Sequence, residues 1–151
     1  MAEPGVQHLL LVDDEDGFRE VVAERLGESG YRVEQASTGE AALERLNEFA
    51  FDVVITDLRL PGVDGRQILD EAFARYPDII AIVITGFGGV REAVEVTRQG
   101  AEGFLTKPFQ FEELIHPLNT AAEKRRLKAE NAYLRAQLQD RFKIDGIIGR
   151  T

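Results

Sequence analysis

Four short apolar runs in this sequence end on residues with chemistry to offer. HLLLV at 8–12 is followed by Asp13-Asp14-Glu15-Asp16, and DVVIT at 52–56 runs into Asp57. IIAIVIT at 79–85 ends on Thr85 before Gly86, and GFLT at 103–106 ends before Lys107-Pro108. Carboxylates brought together repel and raise one another's pKa unless a cation neutralises them. A hard divalent ion with oxygen ligands does so, and Mg2+ uses one or two carboxylates while keeping waters. A carboxylate beside Mg2+ can accept a phosphoryl group, with a lysine ammonium on the phosphoryl oxygens and a threonine hydroxyl bonded to one of them. Taken singly, each residue has a plainer reading. Asp13, Asp14 or Asp16 would cap a helix, Thr85 would sit in a turn, and Lys107 would lie in an exposed loop. Their common place at the ends of the runs favours a single phosphate-and-metal site.

Such a site needs a fold that gathers the run ends on one rim. RVEQA at 32–36 is a fifth, more polar run, expected at a sheet edge. Helical patterns separate the runs. Residues 16–28 carry Phe18, Val21, Val22, Arg25 and Leu26 at helical spacing, closed by Gly27 and Gly30. Residues 39–48 with Ala42, Leu43, Leu46 and Phe49 form a second stripe, and 65–75 with Ile68, Leu69, Ala72 and Phe73 a third. Residues 89–99 with Val90, Ala93, Val94 and Thr97 form a fourth, and a last helix begins near Phe111. Three of the runs are nearly continuous Val, Ile and Leu, as in strands buried on both faces. Strand–helix alternation implies parallel strands with right-handed crossovers. Five repeats are too few for an eight-fold barrel. The expected fold is an α/β doubly wound, five-stranded parallel sheet of order 2-1-3-4-5, whose ligand site lies at the carboxyl ends of the strands.

Composition narrows the function. The 151 residues contain no cysteine, which excludes a disulfide scaffold, a thiolate metal site and a cysteine nucleophile. His8 and His116 are too few for a multi-histidine metal site. No stretch approaches the roughly 18 apolar residues of a membrane span, and MAEPGVQH has no secretory pattern, so the expected location is the cytoplasm. The net charge of −9 is uneven. Residues 1–121 hold 10 basic and 23 acidic residues, net −13, whereas 122–151 hold 8 basic and 4 acidic, net +4. The acidic balance argues against nucleic-acid binding driven by net charge. Lys107 is the lone lysine among nine arginines in the first part.

Over residues 8–121 the chain resembles the receiver domain of two-component response regulators. The resemblance rests on VDDE at 12–15, TDLRLPGVDG at 56–65, TG at 85–86 and FLTKPF at 104–109, all in register. It implies a flavodoxin-like fold and a set of roles. Asp57 would accept a phosphoryl group from a histidine kinase. Asp14 would bind Mg2+ directly and Asp13 mainly through water, with Asp57 and the backbone carbonyl of Arg59 completing the protein ligands. Lys107 would pair with the phosphoryl group. Thr85 would move toward it, and Phe104 would swing into the vacated space. The Lys107–Pro108 bond would be cis, a state of only about 5–6% of X–Pro bonds. Arg59, two residues past the acceptor, stands where the family tunes hydrolysis of the aspartyl phosphate. Many members have tyrosine where this chain has Phe104, so a hydroxyl-dependent switch is excluded. Such a domain is a regulatory acceptor rather than an enzyme, with only self-phosphorylation from small donors and slow autodephosphorylation expected.

Other patterns compete less well. GESG at 27–30 and GFGG at 86–89 lack the Gly-Lys-[Ser/Thr] of a phosphate-binding loop. Asp14-Glu15-Asp16 resembles the motif of phosphohydrolases with an aspartyl nucleophile, which leaves TDLRLPG unexplained. Four acids after the first run do not suit a flavin phosphate.

The remaining chain reads as helix from Glu112 to about Arg141, with Pro117 expected to kink or break it. Leu127, Asn131, Leu134 and Leu138 follow spacings of four, three and four, a heptad seam with Leu127 and Leu134 at d and Asn131 and Leu138 at a. A single Asn at a favours a parallel homodimer in register, so 122–143 reads as a coiled-coil dimerisation linker after a receiver domain at 6–121. The plainer alternative is a helix packed on its own or a following domain. The basic KRRLK at 124–128 reads as a solvated flank. GIIGRT at the end, after ENAYLRAQL, resembles the linker and the opening of the AAA+ ATPase module of sigma-54-dependent (NtrC/DctD-type) activators, so 144–151 reads as the start of an absent ATPase domain. No Walker motif is present, and no ATP hydrolysis is expected of this chain. The combined reading is a phosphorylation switch whose last helix changes dimer packing, and through it a downstream ATPase and transcription. The other class is a dimerisation module independent of phosphate.

Overall fold

The computed structural model describes residues 6–86 and 88–149, with side chains described as far as residue 141. Five strands form one parallel sheet: β1 (His8–Val12), β2 (Arg32–Ala36), β3 (Val53–Asp57), β4 (Ile80–Thr85) and β5 (Gly103–Thr106). Their order is β2-β1-β3-β4-β5. The helices are α1 (Asp16–Glu28), α2 (Gly39–Glu48), α3 (Gly65–Arg75), α4 (Val90–Gln99) and α5 (Phe111–Gly149). The chain divides into two compact units, Met1–Leu118 and Asn119–Thr151.

Every residue of β3 and β4 is buried, because helices cover both faces of these central strands. Alternate strand residues supply one core: Leu10, Val12, Val54, Ala81 and Val83 pack with Ala42 and Leu46 of α2, Ile68, Leu69 and Ala72 of α3, and Val96 of α4. Leu9, Leu11, Ile55, Ile82 and Ile84 are buried on the opposite face, and Val22 and Leu26 of α1 and Leu114 and Leu118 of α5 are buried as well. Local signals start two helices. Thr38 accepts from the Ala41 amide at 3.0 Å at the head of α2, and Asp64 and Gln67 form a reciprocal capping box at the head of α3.

Several expectations change. Sheet contacts, not the apolar pattern alone, choose the buried side of each helix. Val21 and Phe49 are exposed, and Phe49 lies just past α2. Gly27 sits inside the last turn of α1, and Ser29 is the C-cap. In α4 the expected stripe faces outward: Val90 is 82% and Val94 43% exposed, while Val96 is buried. α5 runs through Pro117 instead of breaking there. Leu114 and Leu118, both fully buried, fix the turn on either side of it, and the proline ring lies beside Gly103 of β5. Burial of these neighbours offsets the roughly 3 kcal/mol that an interior proline costs.

Candidate functional site

Register builds the rim. Val12 pairs with Thr56, Asp57 with Ile84, and Thr85 with Thr106. The chain therefore leaves β1 at Asp13, ends β3 at Asp57 and leaves β5 at Lys107 along one edge of the sheet. The Lys107 amide donates to the Thr85 carbonyl at 2.8 Å, tying the last two strand ends together. The Lys107–Pro108 bond is cis.

The side chains converge on this edge. Lys107 Nζ lies 2.8 Å from Asp13 Oδ2, 3.0 Å from Glu15 Oε1 and 3.3 Å from Asp57 Oδ2. Carboxylate oxygens of Asp13, Asp14 and Asp57 lie within 4.8 Å of one another. Asp13 and Asp57 are buried and Asp14 is exposed, so the group opens to solvent on one side. Backbone amides fix two carboxylates: Glu15 N donates to Asp13 Oδ1 at 2.8 Å, and Arg59 N donates to Asp57 Oδ1 at 3.0 Å. Burial pushes the Asp13 carboxyl above its ordinary value, opposed by hydrogen bonds from Lys107 and the Glu15 amide. Burial pulls the Lys107 ammonium down, but hydrogen bonds to Asp13 and Glu15 and the charges of Asp13 and Asp57 outweigh it, leaving it well above an ordinary lysine.

Thr85, fully buried, stands at the end of β4. Phe104 is partly buried against the core, and its ring covers Gly88. A Cβ at position 88 would meet that ring at 2.6 Å and the Thr85 methyl at 3.0 Å, so the glycine makes room for both. The edge thus holds Asp13, Asp14, Asp57 and Lys107 together, with Thr85 at the adjoining end of β4.

Four contributors had been given no such role from the sequence. Glu15 is a direct partner of Lys107. Phe18 lies under the ammonium, 4.3 Å from Nζ to the ring centroid. Arg19, a buried arginine, donates from Nη1 to the Asp13 carbonyl at 2.8 Å and to Asp16 Oδ1 at 2.7 Å, and from Nε to Gln35 at 2.9 Å. This holds the β1–α1 turn and commits Asp16 to Arg19. Gly65 lets α3 begin against the end of β3, since a Cβ there would strike the Asp57 carbonyl. An arginine at helical spacing after an acidic turn was the one available signal for Arg19. Along the tail, Leu127, Leu134 and Leu138 are about half exposed and Asn131 is exposed.

A carboxylate trio with a lysine at the carboxyl edge of a 2-1-3-4-5 sheet defines a class of phosphoacceptor signalling domains. Residues 9–119 match the family described as the response regulator receiver domain, and the chain belongs to that family. It is 33% identical over 143 residues, covering 95% of this chain and 31% of the relative, to the C4-dicarboxylate transport transcriptional regulatory protein DctD of Rhizobium meliloti. A crystal structure of NtrX from Brucella abortus in complex with ATP is 34% identical, with a TM-score of 0.78, over 85% of this chain and 30% of that one. A response regulator protein from Burkholderia pseudomallei with a phosphorylated aspartic acid, calcium ion and citrate is 28% identical, with a TM-score of 0.70, over 83% of this chain and 74% of that one. The chain spans less than a third of the length of the DctD relative. It is thus the receiver domain of a two-component response regulator related to transcriptional regulatory proteins.

Proposed function

We propose that Asp57 accepts a phosphoryl group from a sensor histidine kinase and that the chain acts as a phosphorylation switch in a cytoplasmic regulator. The observation that carries this is the placement of Asp57: buried, at the end of β3, 3.3 Å from Lys107 Nζ and grouped with Asp13 and Asp14. All-oxygen donors at this spacing suit a hard divalent cation such as Mg2+, held by Asp14, Asp57 and the Arg59 carbonyl, with Asp13 acting mainly through water. Bound there, Mg2+ would neutralise charge on the phosphoryl oxygens. In the transfer, an Asp57 carboxylate oxygen forms a bond to phosphorus as the phosphorus–nitrogen bond of the kinase phosphohistidine breaks, and the freed imidazole nitrogen takes up a proton. Lys107 stabilises the transferred oxygens. Thr85 bonds one of them, and Phe104 follows into the space that Thr85 vacates.

The output would pass through the linker helix to a second copy of the chain. With Leu127 and Leu134 at d, Glu123 and Glu130 fall at g, and Lys128 and Arg135 at e. In a parallel, in-register pair Glu123 meets the partner's Lys128 and Glu130 meets the partner's Arg135, whereas an antiparallel pair sets like charges together. The relation to DctD supports placing this switch ahead of a sigma-54-activator ATPase domain in the full-length protein, with transcription as the regulated process.

The test uses acetyl phosphate or beryllofluoride with Mg2+, comparing wild type with Asp57→Ala by intact mass and light scattering. Wild type should gain one phosphoryl group and change its association state, and the variant should do neither. Equal responses from both would refute the assignment, and sustained turnover of a phosphate ester would indicate a phosphohydrolase.

A further inference from the structure

The residue after next from the acceptor does two things at once. The Arg59 backbone amide holds Asp57 Oδ1 at 3.0 Å, and its guanidinium Nη2 reaches Glu92 Oε1 on α4 at 3.3 Å. Glu92 is the first of three polar residues spaced along one side of α4. Glu95 Oε2 lies 2.7 Å from Arg66 Nη1 of α3. Gln99 Nε2 donates to Asp70 Oδ1 at 2.6 Å and to the Arg66 carbonyl at 2.9 Å. The Arg59–Glu92 and Arg66–Glu95 contacts border a cavity of about 190 Å³, which Leu58 and Val96 also line. Among the described residues of α4, Val96 is the one that is buried. The helix therefore combines one buried anchor, Val96, with a polar seam to α3 and the loop before it.

We propose that Arg59 is a positioning residue that couples the Asp57 carboxylate to α4 through Glu92. A change at Asp57 Oδ1 acts on the Arg59 amide. The side chain on the same residue then tightens or releases the first contact of the seam. Glu95 and Gln99, one and two turns further on, hold the rest of the helix to α3. Coupling of this kind is reciprocal, so the state of the Glu92 contact also biases the acceptor loop. The role of the link in signalling rests on Asp57 being the phosphoacceptor, but the link itself does not.

The test is a hydrogen-exchange cycle on the unphosphorylated protein, read at the amides of α4, with α2 as the internal reference. Asp57→Ala should change α4 exchange by about threefold, in keeping with one exposed ion pair, and leave α2 unchanged. In an Arg59→Ala or Glu92→Gln background the same Asp57→Ala change should have no further effect on α4. The exchanged pair Arg59→Glu with Glu92→Arg should restore the response. Equal Asp57→Ala effects with and without the Arg59–Glu92 contact would overturn the proposal, as would equal changes in α2 and α4. Because no phosphoryl donor is used, a failure here is distinct from a failure of wild type to bind beryllofluoride.

Discussion

α3 and α4 are near in length, consecutive in sequence and set on the same face of the sheet, yet they are held in different ways. α3 begins with a capping box, abuts the Asp57 carbonyl through Gly65 and buries Ile68, Leu69 and Ala72. α4 begins at Gly89, which has no side chain to accept from the helix, buries Val96 among its described residues and exposes Val90 and Val94. One helix is part of the scaffold that fixes Asp57. The other has few buried apolar contacts, the condition under which a segment opens without global unfolding. The proposed switch would use both: a fixed rim around Asp57 and a weakly packed element to report its state.

The largest expected contrast is in side-chain truncation. Leu69→Ala should destabilise the domain by about 2–5 kcal/mol, whereas Val94→Ala should stay within about 0.5 kcal/mol, both by chemical denaturation. A comparable loss in the two variants would remove the distinction between the helices. Capping offers a smaller and sharper contrast. Asp64→Ala should cost about 1 kcal/mol through loss of the α3 cap. Gly89→Ser, at a position where a Cβ meets nothing within 4 Å, should stabilise α4 by a few tenths of a kcal/mol and slow its amide exchange. No slowing in α4 would mean that its N-terminus does not limit its opening.

The sequence revealed the central strands more fully than α4. DVVIT and IIAIVIT are legible because strands covered on both faces need apolar side chains at nearly every position, and the motifs at their ends land on the rim through in-register parallel pairing. α4 was legible as a helix but not in its orientation, because helical spacing shows that an apolar stripe exists without showing which side meets the sheet. Val90, Ala93, Val94 and Thr97 share a stripe, but Val96 occupies the inner position. At Pro117 local propensity signals a kink or a break, and the helix does not break, with Leu114 and Leu118 packed on either side. Glu15 and Phe18 at Lys107, and Glu92 at Arg59, depend on contacts across 92, 89 and 33 residues of chain, which spacing along the sequence cannot supply.

The most direct measurement is amide exchange across the described helices with and without beryllofluoride and Mg2+. The account predicts a change in exchange over Val90–Gln99, with Gly65–Arg75 unaltered, and no change in either helix of Asp57→Ala. Equal changes in both helices of the wild type, or an unaltered α4 with beryllofluoride bound, would contradict it.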